Sequence, residues 1–205
     1  MVRLLGRVIP GGARHRQGKP HTVADEFDRV IAAHRDEVAV IDADDGGREV
    51  TFGELGAQSH RVARWALAQD IGRGEVVALL MHNRPDYLST WLGLARVGAV
   101  TALINTNLTG EPLRHSIAVS GADHLILDSD LAANWTDARP DDATITEWVR
   151  FGEATDGGHD LDAALAAAGD APVDRAVRRG MTTRDPLFFI YTSGTTGLPK
   201  AARFS

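Results

Sequence analysis

Cysteine is absent from the 205 residues, which excludes disulfide scaffolds, Cys-ligated zinc, iron–sulfur clusters and thiol catalysis. Lysine is scarce too: Lys19 and Lys200 stand alone against twenty arginines. Long apolar runs are missing. The longest uncharged stretches, 97–110 and 186–199, are broken by Gly, Thr and Asn, so no membrane span can be read. A basic surplus is missing as well. The net charge is −6, and residues 1–20 carry five basic and no acidic residues, so the remainder is more acidic still. Such a body is a poor general binder of nucleic acid.

What is present suits one sizeable core: 43% of residues are hydrophobic and 24% charged. Residues 1–21 read as a loosely ordered basic arm without the apolar core of a signal peptide. Its arginines would suit an anionic lipid surface. The expectation is a cytoplasmic protein, at most peripheral at a membrane.

From residue 22 onward strands and helices alternate. Val23, Phe27, Val30 and Ile31 fall at helical spacing behind Thr22, a fitting N-cap. A strand is predicted over 38–42, then an Asp45-Gly46-Gly47 turn into a short strand at 49–50. Thr51-Phe52-Gly53-Glu54 is a capping box that starts a helix reaching about residue 69. Residues 76–81 are apolar on both pleat faces, the pattern of a strand covered on both sides in a parallel sheet. Helices from Pro85 and over 111–119 alternate with strands over 100–104 and 124–128. The pattern predicts right-handed crossovers and an α/β architecture, mainly parallel sheet with flanking helices. Residues 129–185 hold twelve acidic and six basic residues and read as a surface excursion, with one short helix from an Asp160 cap to a Gly169 stop. A buried strand is then predicted at 187–190.

Directly after that strand comes Tyr191-Thr192-Ser193-Gly194-Thr195-Thr196-Gly197-Leu198-Pro199-Lys200. Glycines let backbone amides approach an oxyanion closely, hydroxyls add rotatable donors, and the lysine supplies a point charge. The segment suits phosphate. It is not a Walker A loop, because Pro199 and Ala201 stand where that motif needs Gly and Ser or Thr. Neither G-x-G-x-x-G nor G-x-S-x-G can be written through it.

This ten-residue string resembles the phosphate loop of the adenylate-forming (AMP-binding) superfamily. Thr51-Phe52-Gly53-Glu54-Leu55, Asn83-Arg84-Pro85-Asp86-Tyr87 and the stretch from Trp91 to Ala99 are similar to further segments of the same superfamily. The resemblance covers most of 22–205. Ala201-Ala202, where most members place Gly after the lysine, resembles the branch of fatty-acid transport proteins and very-long-chain acyl-CoA synthetases. So does Leu103-Ile104-Asn105-Thr106-Asn107-Leu108, where many members have a proline-containing loop.

The resemblance implies an ATP-dependent fatty-acid–CoA ligase that uses ATP, Mg2+ and coenzyme A and passes through an acyl-adenylate. It assigns residues 191–200 to ATP binding, with Ser193, Thr195 and Thr196 on the β- and γ-phosphates and Lys200 on the departing pyrophosphate. It also implies that residues 22–205 are the N-terminal portion of the adenylation domain, incomplete and inactive alone. The magnesium carboxylate, the C-terminal domain and its catalytic lysine are expected downstream, and strand 187–190 is expected to keep an unpaired apolar edge. Two alternatives stay open: a ligase for an aryl, bile or amino acid, or a truncated homologue without enzymatic activity.

Other candidates are weaker. Asp42-Ala43-Asp44-Asp45-Gly46 has Gly where a calcium loop needs its fifth ligand, and reads as an acidic turn. No two histidines share a helical spacing suited to a metal. Trp65, Trp91, Trp135 and Trp148 read as packing anchors. Asn83 and Asn105, at strand ends, are candidates for the substrate face.

Overall fold

The computed structural model describes residues 20–154, 157–193 and 199–205. Most of the basic arm and residues 194–198 of the phosphate-type segment therefore lie outside the described residues.

Helix α1 (Val23–His34) opens on Thr22 and α2 (Phe52–Ala68) on Thr51, each with a reciprocal capping box. The threonine hydroxyl accepts from the backbone amide of Asp25 at 3.3 Å or of Glu54 at 3.2 Å. Each acid in turn accepts from the threonine amide at 2.8 Å. Between the helices, β1 (Val38–Asp42) and β2 (Arg48–Thr51) form an antiparallel hairpin. Its turn needs the glycines, since Gly46 and Gly47 have φ of 60° and 83°.

The remaining strands are β3 (Val76–Leu80), β4 (Val100–Leu103), β5 (His124–Asp128), β6 (Thr146–Arg150), β7 (His159–Asp160), β8 (Phe188–Ser193) and β9 (Pro199–Phe204). They form a seven-stranded sheet in the order β7-β6-β5-β3-β4-β8-β9, and every neighbouring pair is parallel except β8–β9. The flanking helices are α3 (Pro85–Val97), α4 (Gly110–Ser120), α5 (Ala132–Ala138) and α6 (Leu161–Ala168). On one face Trp65 of α2, Leu94 and Val97 of α3 and Leu165 of α6 pack with Val77 and Leu79. On the other, Leu113 and Ile117 of α4 and Trp135 of α5 pack with Ala78 and Leu80. This is why β3 is apolar at every position: both of its faces are covered. The expected α/β class is what the chain adopts, and Trp65, Trp135 and Trp148 are buried anchors.

Two expectations are corrected. Residues 129–185 are not only a surface excursion, because β6 inserts beside β5 and buries Trp148 and Val149. Its charged residues are satisfied inside the fold. Glu147 accepts from Trp135 Nε1 at 2.8 Å and from Arg139 at 2.5 Å, and Arg150 donates to Asp162 at 2.9 Å and to Asp86 at 3.2 Å. The strand at 187–190 is not an unpaired edge either. It pairs with β4 on one side and β9 on the other, so β9 becomes the edge. It is also only half-buried, with Ile190 38% exposed.

Candidate functional site

In a parallel sheet the loops after the strands gather at one edge, and open α/β sheets bind ligands where neighbouring strands send their connections to opposite faces. β3 and β5 are one such pair of neighbours. The chain leaves β3 into α3 on one face and leaves β5 into α5 on the other. A cleft of about 650 Å³ opens at this edge, lined among others by Arg48, His82, Asn83, Arg84, Asp86 and Phe151.

The cleft's charges are fixed by pairing. Arg48 of β2 reaches Asp45 at 2.9 Å and lies 3.7 Å from both Asp42 and Asp86, so the acidic turn is an ion-paired hairpin. Arg150, nearly buried at the end of β6, ties Asp86 of α3 to Asp162 of α6. Its guanidinium and that of Arg84 each lie 4.5 Å from the Phe151 ring centroid. Phe151 holds φ at 60°, a conformation bulky side chains rarely adopt. The turn over-determines it: its amide donates to Asp162 at 2.6 Å, and its carbonyl accepts from Ser129 at 2.8 Å. Burial pushes the Asp128 carboxyl up from its ordinary value, opposed by the His82 amide and Arg84.

The phosphate-type segment lies along the same edge of the sheet. Tyr191, Thr192 and Ser193 complete β8 beyond its last pairing with β4, while Pro199 and Lys200 begin β9. Thr192 stands opposite Lys200 and Ser193 opposite Pro199. The two ends of the segment are therefore clamped in an antiparallel ladder, and Gly194, Thr195, Thr196, Gly197 and Leu198 fall outside the described residues. Lys200 is exposed. Tyr191 turns its ring toward the face covered by α4 and α5, where burial pushes its phenol up to about 12.

Of the two asparagines, Asn83 lines the cleft. Asn105 instead closes its own turn, accepting from the Asn107 amide at 2.9 Å, and the neighbouring Thr106 faces the cleft. Sequence reasoning missed Arg150 and Phe151, and gave no role to Arg84 although it quoted the residue within Asn83-Arg84-Pro85-Asp86-Tyr87. Arg150 and Phe151 belong to no motif, and their only signal is position at the end of β6, which was itself hidden. It also sought metal-type partners for histidine only among other histidines, and so passed over His82 beside Asp128 and Asp130.

The fold and this edge define an open α/β domain with a hydroxyl- and glycine-rich segment whose two ends are clamped at the carboxyl end of β8. Residues 27–205 match the AMP-binding enzyme family, and the chain belongs to it. The chain is 39% identical to long-chain fatty acid transport protein 5 of Homo sapiens over 98% of its own length and 31% of that protein's. It is 36% identical to long-chain fatty acid transport protein 1 of Bos taurus over 92% of its length and 29% of the relative's. It thus spans about three tenths of these relatives. Among solved structures, the anthranilate CoA ligase AuaEII in complex with anthranoyl-AMP superposes with a TM-score of 0.79 at 20% identity, covering 89% of this chain and 34% of that one. The N-terminal domain of FACL13 from Mycobacterium tuberculosis gives 0.71 at 24% identity, covering 89% and 44%. These likenesses carry the fold. Among the described residues no helix is long and apolar enough to cross a membrane.

Proposed function

We propose that this chain is the phosphate-binding, N-terminal part of a fatty acyl-CoA ligase acting on long- or very-long-chain acids. The observation that carries the reading is the segment 191–200, clamped at the carboxyl edge of the sheet in a chain 39% identical to a long-chain fatty acid transport protein. A free carboxylate has a poor leaving group. In the proposed reaction its oxygen attacks the α-phosphorus of ATP, the bond to the bridging oxygen breaks, and pyrophosphate departs to leave an acyl-adenylate. The thiolate of coenzyme A then attacks the acyl carbon and expels AMP.

The protein's task in the first step is to hold the triphosphate and offset charge as it moves to pyrophosphate. Ser193, Thr195, Thr196 and nearby amides are assigned to the β- and γ-phosphates, and Lys200 to the leaving pyrophosphate. Residues 191–200 offer hydroxyls, amides and one ammonium but no carboxylate. They therefore fit the phosphate oxygens rather than direct ligation of magnesium, which would enter with the nucleotide and further neutralise it.

The test uses a protein in which these residues head a chain of the relatives' length. A hydrogen bond to a charged group is worth about 1.5–3 kcal/mol, so Lys200→Ala should slow fatty-acid-dependent ATP–pyrophosphate exchange roughly ten- to a hundredfold. Exchange at the wild-type rate would remove Lys200 from this role.

A further inference from the structure

The facing ends of β3 and β5 bring together three groups that phosphate binding does not use. His82 follows β3, Asp128 ends β5, and Asp130 lies in the 3₁₀ turn Ser129–Leu131 that comes next. One imidazole nitrogen and two carboxylate oxygens, one from each residue, all lie within 4.8 Å of one another. His82 Nε2 and Asp130 Oδ2 are already 3.1 Å apart, close to the separation of two ligands on bonds of about 2.1 Å to one ion. No other such trio occurs among the described residues.

A second observation concerns Asp128 alone. Its side chain is 1% exposed. Oδ2 accepts from the His82 amide at 2.9 Å and lies 3.3 Å from Arg84, whereas Oδ1 is buried with no hydrogen-bond partner. A carboxylate oxygen left without a donor in the protein interior is costly, and such atoms are rare unless something positive meets them. Arg84 offsets one of the two carboxylates, so the trio with Arg84 keeps one net negative charge. The adjoining cleft adds Asp42, Asp44, Asp45 and Asp86 against Arg48 and against Arg150, which pairs with Asp86. This corner of the edge favours a cation. The site also stands between two neighbouring strands whose connections part to opposite faces, a position where sheets of this kind place ligands.

We propose that His82, Asp128 and Asp130 form a divalent transition-metal site, with His82 Nε2 and one oxygen of each aspartate as protein ligands. One imidazole with two carboxylates suits Zn2+ or Mn2+, whereas calcium and magnesium favour all-oxygen sets. The bound ion joins the carboxyl ends of β3 and β5 and leaves positions for water on the side of the half-buried His82 and the exposed Asp130. The proposal is independent of the ligase reading, since neither ATP nor an acyl group is involved.

Isothermal titration of the metal-stripped 205-residue chain with ZnCl2 and with MnCl2 near neutral pH tests it. Saturable binding of one ion per chain is expected for at least one of the two metals. His82→Ala and Asp130→Asn, at a half-buried and an exposed position outside the hydrophobic core, should each weaken that binding by at least about tenfold. Asp44→Asn, which removes a cleft charge but no ligand, should weaken it far less than either. The proposal fails if no stoichiometric binding is seen, if the first two variants bind as the parent does, or if Asp44→Asn weakens binding as much as they do.

Discussion

At the scale of single residues, the most consequential charges lie away from the cleft, where α1 docks. Arg96 of α3, 1% exposed, donates to Ser59 at 2.8 Å and to Asp28 of α1 at 2.5 Å. Arg178, 3% exposed, reaches Asp28 at 2.8 Å and Asp25 at 3.0 Å. Burial would raise the Asp25 carboxyl, but hydrogen bonds from Arg175, Thr22 and Arg178 hold it well below the usual carboxylate range. Breaking a buried pair costs more than the pair contributes, because the surviving charge is stranded. Asp28 is itself 41% exposed, so water screens part of this cost, and Asp28→Ala should destabilise the chain by about 1–3 kcal/mol in urea unfolding. Adding Arg96→Met should restore a good part of that loss, and strictly additive losses would contradict the account.

His60 neighbours this network. Burial, then the positive charge of Arg96, push its imidazole down from 6.5 to about 4 against the pull of Asp28, with smaller contributions from Arg178 downward and Asp170 upward. The neutral ring accepts from the Val173 amide at 3.2 Å. Because the unfolded chain takes up this proton near pH 6.5 and the folded chain only near 4, His60 erodes stability as pH falls through that window. His60→Asn, which keeps an acceptor and loses the titration, should flatten the pH dependence of Tm there. An unchanged slope would assign it to other groups.

At the scale of elements, packing distances decide which substitutions are tolerated. Helices α2 and α3 meet at Gly93, where an added Cβ would strike Val62 and stand 2.8 Å from the Ser59 carbonyl oxygen. Gly93→Ala improves helix propensity, yet overpacking should win and cost about 1–3 kcal/mol in thermal unfolding. The elements read correctly from sequence have local chemistry that agrees with their tertiary setting. The Thr51–Glu54 box starts α2, the two-sided apolar run over 76–80 forms β3, and Asp160 caps α6 with a 2.9 Å bond to the Ala163 amide. Strand β6 was illegible because Glu147 and Arg150 look like surface residues, and only partners distant in sequence make their burial tolerable. Arg150 illustrates this, since Asp86 lies 64 residues away from it. The cleft was hidden for the same reason, whereas the phosphate-type segment was visible because its chemistry is written in ten consecutive residues.

At the scale of the whole molecule, one edge of one sheet gathers the cleft, the trio at the ends of β3 and β5, and the two ends of the segment that joins β8 to β9. At the far end of the β8–β9 ladder from that segment the sheet keeps an apolar face. Phe188 stacks on Phe204 with centroids 5.2 Å apart and meets Trp91 at 6.1 Å, while Phe204 remains 45% exposed. The central claim is that the segment 191–200, clamped at this edge by its two ends, holds a nucleotide's triphosphate. The most direct test is a crystal structure, with a non-hydrolysable ATP analogue, of a chain of the relatives' length that begins with these residues. The account predicts Lys200 Nζ and the hydroxyls of Ser193, Thr195 and Thr196 at hydrogen-bonding distance, about 2.7–3.2 Å, from β- and γ-phosphate oxygens. A triphosphate bound elsewhere, with residues 191–200 facing bulk water, would contradict it.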